Sequence, residues 1–366
     1  MIYAFAFIAA AVLTAAAVPL VMRFAYRFKV IDDPAIEGER RMHQHRIPLL
    51  GGIAVWFSVS FVTTFFLLVN PDALLHYIKV PYLFGAFLGT TILMIGGFID
   101  DRFKLGTFWK LALPFIAALL AVLTGVGVNF ITNPFGGVWR IDKVMLPLIS
   151  VGGFSYALSL GSVAFTVLWL MATMLTTKVL DGLDGLVSGV VGIGALVIVI
   201  LSLRPPVLQP DTALMAAIIS GAFFGFLPFN WSPAKIFLGE GGSLFAGYCL
   251  GILAVIAGGK IATAGIILAV PILDATWVVL RRVFFEHRSP VSPDRLHLHF
   301  ILLKYGLSVR LVVLLFYMLT MLSGILALSL SSLQKLYAAT AIAILFIISV
   351  ALPLLVRRRE QNDYDR

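Results

Sequence analysis

Long apolar runs, separated by short polar segments, constrain this chain more than any other feature. A membrane-spanning helix needs about 20 consecutive apolar residues, and runs of that kind recur along the whole sequence. We predict eleven spans, at residues 2–22, 48–69, 81–99, 107–125, 159–177, 185–203, 212–230, 243–259, 261–280, 309–331 and 334–356. With 60% hydrophobic and 12% charged residues, the composition excludes a soluble protein, and such long runs exclude a membrane β-barrel.

The predicted fold class is an all-α polytopic membrane protein with one domain. Residues 1–356 are expected to form a single integral membrane unit, and residues 357–366 a basic and polar tail. Residues 126–158 contain Asn, Pro and Gly and are a candidate for a re-entrant or interfacial segment. The first apolar run lacks a charged start and a clear cleavage site, so we expect a retained helix and not a signal peptide.

The distribution of basic residues predicts the orientation. Of the 27 Lys and Arg residues, 21 fall in the segments on one side of the predicted spans. Because Lys and Arg are retained in the cytoplasm, the N-terminus is predicted outside and the C-terminus inside a cell (inner or plasma) membrane. Five of the six histidines and most carboxylates lie on the same side, so we predict a cytoplasmic active site. The net charge of +9 is explained by basic segments that lie next to the lipid bilayer, and no nucleic-acid partner is expected.

Asp100 and Asp101 end an apolar run at the predicted cytoplasmic boundary. A single arginine cannot neutralise both carboxylates, and carboxylates at a membrane boundary are costly unless they bind a cation or move a proton. One interpretation is therefore a site for Mg²⁺ or for proton transfer. The other is an ordinary loop cap, with Arg102 and Lys104 as partners.

Asp181 and Asp184 form a second acidic motif, DGLDGL. Residues three positions apart share one face of a helical turn, and the adjacent Gly182 and Gly185 let a phosphate or a sugar approach the backbone. An apolar Leu183 between the acids excludes a calcium loop. The alternative is a loop without a chemical role.

A glycine-rich turn follows Asn230 in the segment PFNWSPAKIFLGEGGS. Backbone N–H groups at the start of a helix attract an anion, and Lys235 adds a positive charge. A bare phosphate would repel Glu240, whereas a metal ion bridging to that phosphate would attract it. Glycines that serve only helix packing are the alternative.

Arg295, His297 and His299 occur together in the long basic segment near residue 290. Alternating imidazoles beside an arginine suit diphosphate contacts or metal ligation, and solvated histidines are the alternative. Asp274 is the only carboxylate well inside an apolar run. Such an acid is a functional candidate, although a buried Thr partner or a helix broken at Pro271 would also explain it.

Taken in order, these segments and residues 40–52 resemble the polyprenyl-phosphate N-acetylhexosamine-1-phosphate transferases. The resemblance covers about residues 20–310, and the order of IDD, DGLDGL, PAKIFLG and DRLHLH is highly specific to that family. The DRLHLHF segment is more similar to the enzymes that use UDP-N-acetylglucosamine than to the muramoyl-pentapeptide enzyme. The resemblance implies eleven helices with an active site at the cytoplasmic face, and a homodimer is compatible with it.

The resemblance implies a reaction between a UDP-N-acetylhexosamine and polyprenyl (undecaprenyl) phosphate that yields a sugar-diphospho-polyprenol and UMP. This reaction starts a cell-envelope polysaccharide or a peptidoglycan lipid intermediate, with Mg²⁺ as cofactor and Mn²⁺ as an alternative ion. The catalytic residues implied are Asp100 and Asp101 for the lipid phosphate, and Asp181 and Asp184 for the nucleotide sugar. Metal contacts are implied for Glu240, Asp181 and Asp184. Substrate contacts are implied for His43, Lys178, Asn230, Lys235, Arg295, His297 and His299.

Five positions depart from the family pattern. Leu175 and Lys178 stand where the family has asparagines, and Glu240 stands where it has an aspartate. Leu49 replaces a common arginine, and Phe300 replaces a histidine that many members have. The changes at Lys178 and Glu240 therefore alter two presumed metal contacts.

Three hypotheses explain these departures. The preferred one is an active variant, in which Lys178 pairs with Glu240 or with a phosphate and the metal shifts towards Asp181 and Asp184. The second is a catalytically impaired paralogue that still binds polyprenyl phosphate or a nucleotide sugar. The third is a lipid or solute transporter, which would need intramembrane charges along a path, and Asp274 is the only carboxylate well inside an apolar run. Retention of both acid pairs favours the active variant.

Overall fold

The computed structural model of the chain describes residues 1–33, 45–151, 154–205, 207–257, 261–287 and 297–364, and 75% of it is helical. The helices are α1 (Ile2–Arg27), α2 (Gly51–Val69), α3 (Val80–Phe103), α4 (Thr107–Leu123), α5 (Leu160–Leu180), α6 (Leu186–Leu203), α7 (Pro210–Asn230), α8 (Gly239–Ile256), α9 (Ile261–Ile267), α10 (Ala269–Leu280), α11 (Leu298–Lys304), α12 (Val309–Ser329) and α13 (Ser332–Tyr364). A 3₁₀ turn (Pro71–Ala73) follows α2, and a π turn (Arg281–Phe285) follows α10.

Each predicted apolar run coincides with a helix or a pair of helices. In the described part of the chain, α1, α2, α3, α5, α6, α7, α8 and α12 are long and apolar enough to cross a membrane. A ninth span would combine α9 with residues 269–284, with a bend of 78° between the two at a short break. Helix α4 and the apolar part of α13 are shorter. The chain is thus a helical, multi-pass membrane protein, whereas the count of eleven and the orientation stay predictions.

The prediction of an all-α chain was wrong between α4 and α5. Strands β1 (Ile31–Asp32) and β2 (Ile47–Pro48) form a short antiparallel pair near the ends of α1 and α2. Between α4 and α5, strands β3 (Phe130–Thr132) and β4 (Val138–Arg140) form one antiparallel hairpin, and β5 (Met145–Val151) and β6 (Phe154–Ser159) form a second. Gly136 and Gly137 have positive φ angles at the turn of the first hairpin, a conformation that glycine adopts at no steric cost. Asn133, Pro134, Gly136 and Gly137 therefore mark the turn between β3 and β4.

The centre of the bundle is formed by α6, α7 and α8. Between 72% and 89% of the residues in the apolar stretch of each are buried, so these helices are surrounded by protein. The rings of Phe223 in α7 and Phe245 in α8 are stacked with centroids 6.2 Å apart, and both are almost wholly inaccessible, as is Phe226. A helix that is apolar on all sides and buried on all sides is expected at the core of a membrane bundle, with α1 to α5 and α12 packed around it.

Glycines bring two outer helices very close to the start of α8. A Cβ atom on Gly52 of α2 would lie 2.2 Å from the Cα atom of Gly242, and one on Gly97 of α3 would lie 2.2 Å from the backbone nitrogen of Gly241. Small residues allow such backbone contacts between membrane helices. The first turn of α8 is therefore fixed between α2 and α3, at the end of the bundle where Asp101 and the DGLDGL acids lie.

Candidate active site

A cavity of about 880 Å³ opens at the end of the bundle where α3 and α5 finish and α8 begins. This volume is within the usual size range of small-molecule sites. Seven of the predicted site residues line it: Asp101, Lys178, Asp181, Asp184, Asn230, Lys235 and Glu240. The fold thus gathers residues from three separate sequence segments around one space.

The DGLDGL segment forms a tight loop between α5 and α6. Asp181 caps the C-terminus of α5, and Gly185 has a φ of 81° at the start of α6. The Asn230 carbonyl oxygen accepts hydrogen bonds from Gly185 N–H (3.2 Å) and from the Ser188 hydroxyl (2.7 Å), and its amide nitrogen donates to the backbone of Ile236. Asn230 is buried, and it joins this loop to the segment after α7.

Asp184 strengthens the same junction. One of its carboxylate oxygens accepts a hydrogen bond from Ala234 N–H at 3.0 Å. Lys235 follows directly, with an exposed side chain at the cavity wall. The two acids of the motif therefore differ. Asp184 stabilises the cavity wall through this hydrogen bond, whereas no hydrogen bond to the Asp181 carboxylate occurs among the described residues.

Asp101 is hydrogen-bonded to the start of α8. Its carboxylate accepts from Glu240 N–H, with the nearer oxygen 3.1 Å away. A carboxylate at a helix N-terminus is stabilised by the exposed N–H groups and by the helix dipole. Gly239 precedes with a φ of 77°, and a Cβ atom there would lie 2.6 Å from an Asp101 carboxylate oxygen, so this turn requires glycine.

Lys178 and Glu240 form an ion pair between α5 and α8. Their side chains are about one-fifth exposed, which places the pair at the cavity wall. The same two helices are joined by the Thr177 hydroxyl, which donates to the Ser243 carbonyl at 2.8 Å. The predicted pairing of Lys178 with Glu240 is confirmed, and each changed position therefore compensates the charge of the other.

Asp100 does not line the cavity. One of its oxygens accepts from Leu105 N–H at 2.6 Å, and the other lies 3.2 Å from the ammonium group of Lys110. Its side chain is almost fully buried. The loop-cap interpretation thus describes Asp100, with Lys110 as its ion-pair partner, while Asp101 points to the cavity.

His297 and His299 lie behind the cavity wall. The His297 Nδ1 atom is 3.0 Å from a carboxylate oxygen of Asp274, and the two imidazole rings are stacked with centroids 5.6 Å apart. His299 is fully buried and packs against Phe300, which does line the cavity. The histidine segment therefore contributes to the site from the far side of the DGLDGL loop.

Two predicted site residues fall outside the described part of the chain, and some residues that line the cavity were not predicted. His43 and Arg295 fall outside the described residues. His45 and Arg46, which follow His43 closely in the sequence, line the cavity, and the Arg46 guanidinium lies 2.8 Å from Asp33. The basic run around residues 40–46 was the available signal, and it pointed to the correct segment.

The cavity carries a local excess of acidic groups. Burial, followed by the negative charges of Glu240, Asp101 and Asp184, raises the pKa of Asp181 to about 8. Among the described residues, no three Asp, Glu, His or Cys side chains lie close enough to hold a metal ion alone. Mg²⁺ is commonly held by one or two carboxylates together with substrate phosphates, so the donor set fits an ion that arrives with a phosphorylated substrate.

The chain is similar to a defined group of proteins. The pattern of glycosyl transferase family 4 matches residues 83–258. A probable undecaprenyl-phosphate N-acetylglucosaminyl 1-phosphate transferase of Bacillus subtilis (strain 168) is 30% identical over 322 residues, 86% of this chain and 81% of the relative. A decaprenyl-phosphate N-acetylglucosaminephosphotransferase of Mycolicibacterium smegmatis is 31% identical, over 84% of this chain and 77% of its own length.

A third relative has the same kind of name. The undecaprenyl-phosphate alpha-N-acetylglucosaminyl 1-phosphate transferase of Thermotoga maritima is 27% identical over 277 residues, which are 75% of this chain and 74% of the relative. The family match at residues 83–258 contains Asp101, the DGLDGL segment and Glu240. The chain is a membrane transferase that belongs to glycosyl transferase family 4.

Proposed function

We propose that this protein transfers N-acetylglucosamine-1-phosphate from UDP-N-acetylglucosamine to a polyprenyl phosphate and releases UMP. The observation that carries the proposal is the cavity in which Asp101, Asp181 and Asp184 meet the Lys178–Glu240 pair. The three relatives are named for transfer of N-acetylglucosamine phosphate to undecaprenyl or decaprenyl phosphate. The product would start a cell-envelope polysaccharide or a peptidoglycan lipid intermediate.

The chemistry requires two anions to meet. An oxygen of the lipid phosphate forms a bond to the sugar-bearing phosphorus, and the bond from that phosphorus to the oxygen bridging to UMP breaks. Such a reaction depends mainly on positioning and on screening of negative charge. Asp101 would orient or deprotonate the lipid phosphate, and Lys178 and Lys235 would offset charge on the diphosphate. Asp184 and Asn230 would keep the DGLDGL loop in the shape that admits the nucleotide sugar.

Mg²⁺, with Mn²⁺ as an alternative, is the proposed cofactor. Asp181 and Asp184 would hold it together with oxygens of the diphosphate, while Glu240 is already neutralised by Lys178. The ion would supply charge stabilisation for the phosphoryl group in transfer. This assignment follows the hypothesis of a metal shifted towards the DGLDGL loop.

The protein would work in the cell (inner or plasma) membrane, with the cavity facing the cytoplasm. Basic segments flank the cavity, as the retention of Lys and Arg on the cytoplasmic side requires. UDP-sugars would reach it from the cytoplasm, and the lipid phosphate from the bilayer. A homodimer stays a prediction.

A catalytically impaired, substrate-binding paralogue is the second candidate. The observation in its favour is the Lys178–Glu240 pair, which places a cation where the resemblance implies a metal contact. The transporter hypothesis has no comparable support, because both carboxylate oxygens of Asp274 are used by the histidine segment. That acid therefore provides no step along a transport path.

The deciding experiment measures transfer of radiolabelled sugar phosphate from UDP-N-acetylglucosamine to undecaprenyl phosphate by the purified protein in detergent. Parallel reactions contain Mg²⁺, EDTA, or UDP-N-acetylgalactosamine as donor. We expect labelled lipid with Mg²⁺ and none with EDTA. Absence of lipid product with every donor, despite measurable binding of the nucleotide sugar, would reject the proposal in favour of the binding paralogue.

A further inference from the structure

Asp274 is a buried carboxylate in the middle of a membrane helix. It lies in α10, shortly after the break from α9, and only 2% of the residue is exposed. One oxygen is 3.0 Å from the Nδ1 atom of His297, and the other accepts a hydrogen bond from Leu298 N–H at 2.8 Å. A carboxylate in such surroundings is costly unless both oxygens have partners, and here both partners belong to the histidine segment.

The contact with Asp274 fixes the state of the His297 ring. A carboxylate accepts hydrogen bonds, so Nδ1 of His297 must carry a proton for the contact to be favourable. The ring then presents its Nε2 atom to the other side. Only 7% of His297 is exposed, so this bond and the packed neighbours set the orientation of its ring.

His297 in turn supports His299. The two rings are almost parallel, with an interplanar angle of 5° and centroids 5.6 Å apart. His299 is fully buried, and neither ring nitrogen has a hydrogen-bond partner among the described residues. Burial lowers the pKa of His299 to about 4, so the ring is neutral near pH 7, with one N–H donor and one acceptor nitrogen unused.

The His299 ring reaches the loop that carries the cavity acids. A Cβ atom on Gly182 would lie 2.8 Å from the His299 Nε2 atom. Gly182 follows Asp181 directly, at the wall of the cavity. A continuous series of contacts therefore runs from Asp274 inside the membrane helix, through the two histidine rings, to the DGLDGL loop.

We infer that Asp274 is a positioning residue for the transfer reaction. It fixes the orientation and tautomer of His297 and the start of α11, and it thereby holds His299 against the loop at Gly182. This inference rests on the proposed function. The His299 ring lies against the loop on the side away from the cavity, and Asp274 acts on the loop only through the two histidines.

A purely structural role predicts a different result for the same substitution. In Asp274→Asn, the carbonyl oxygen can still accept from Leu298 N–H, so the backbone contact is kept. The amide nitrogen is a donor, however, and it would face Nδ1 of His297 and favour the opposite tautomer. If Asp274 is only structural, the substitution lowers the stability of the protein and nothing else. If Asp274 is a positioning residue, the substitution also lowers turnover and changes the tautomer of His297.

The test compares Asp274→Asn with Asp211→Asn. Asp211 is also fully buried, and its carboxylate accepts N–H bonds from Tyr77 and Ile78, outside the cavity. Three quantities are measured in detergent: thermal unfolding, kcat and KM for UDP-N-acetylglucosamine, and ¹⁵N chemical shifts of histidine-labelled protein. The variant His297→Gln assigns the His297 signals.

We expect wild-type His297 to be protonated at Nδ1. Asp274→Asn should shift those signals and lower kcat by about 10- to 100-fold, whereas Asp211→Asn should leave both unchanged per folded molecule. An Nε2-protonated wild-type ring, or an Asp274→Asn variant with unaltered kcat, would overturn the inference, and the first of these needs no variant to fold. If the wild type transfers nothing, the proposed function fails, and the ¹⁵N shifts still decide whether Asp274 orients His297.

Discussion

The ammonium group of Lys178 is paired with the carboxylate of Glu240, across the contact between α5 and α8. In the family pattern, these positions are expected to be an uncharged amide and an aspartate. Lys178 puts a cation in the place of the amide, and Glu240 is one methylene group longer than the aspartate. The lysine therefore neutralises the acid without a metal ion. The pair therefore alters how much of the charge in the cavity a metal has to balance.

The pair predicts a reciprocal rescue. Lys178→Asn alone leaves Glu240 without its cation and should lower transfer at least about tenfold, because an unpaired, partly buried carboxylate repels the diphosphate. Lys178→Asn combined with Glu240→Asp restores the family pattern and should recover activity. The measurement is kcat/KM in a double-mutant cycle. Arg140→Gln, which breaks the exposed pair with Asp142, is the control, and a double variant no better than the single one would disprove the compensation.

The two adjacent acids should behave differently. Asp101→Asn removes the charge at the cavity and should abolish transfer, while the amide oxygen can still accept from Glu240 N–H. Asp100→Asn weakens the contact with Lys110 and should lower the free energy of unfolding by about 1–3 kcal/mol, with turnover per folded molecule largely kept. Thermal unfolding and transfer assays separate the two effects. Equal loss of turnover in both variants would contradict the placement of Asp100.

Asp184 provides a further test of the acid cluster. Asp184→Asn should abolish transfer while the protein still inserts and folds, because the side chain lies at the cavity and its amide replacement keeps an acceptor for Ala234 N–H. Size-exclusion profiles in detergent report folding, and labelled lipid reports transfer. Unchanged turnover would remove Asp184 from the reaction.

The glycine contacts at the start of α8 predict a steric effect. A methyl group at Gly97 meets backbone atoms of Gly241, which cannot move aside, so Gly97→Ala should cost about 1–3 kcal/mol of stability and displace the turn that carries Glu240. Gly265→Ala is the matched control, since nothing lies within 4 Å of its Cβ position. The same loss in both variants would show that general helix effects are responsible.

We expect transfer to require a metal ion that is held at the DGLDGL loop. EDTA should stop transfer, and added Mg²⁺ or Mn²⁺ should restore it. Binding of Mn²⁺ in the presence of UDP-N-acetylglucosamine, followed by electron paramagnetic resonance, should weaken in Asp181→Asn by about tenfold or more. Asp72→Asn, in the 3₁₀ turn away from the cavity, is the control. Mn²⁺ binding that is unaffected by Asp181→Asn would place the ion elsewhere.

The helices were predictable because membrane burial depends on composition over about 20 residues. The hairpins between Phe130 and Ser159 were not, because short strands carry little periodic signal and their apolar residues resemble a partial span. Helix bounds differ by only a few residues from the predicted runs, as for α6 and α7. Whether α4 and α13 span the membrane depends on the lipid surroundings as well as on their sequence.

The acid motifs predicted which segments meet at the cavity, but not the contacts of each acid. Asp100 and Asp101 are neighbours in the sequence, and only the end of α3 decides that one meets Lys110 and the other meets Glu240 N–H. The pairing of Lys178 with Glu240 followed from opposite charges at two altered positions. The Asp274–His297 contact could not be foreseen, because it depends on the bend between α9 and α10.

The hydrogen bonds from Gly51 and Gly52 N–H to the carbonyl groups of Phe237 and Leu238 join parts of the chain that the ribosome makes at very different times. Early helices carry Asp101 into the membrane long before the opposite wall of the cavity exists. A prematurely ended chain would thus insert several helices and yet hold no pocket for nucleotide or lipid. Substrate turnover consequently begins only in molecules whose synthesis has passed α8.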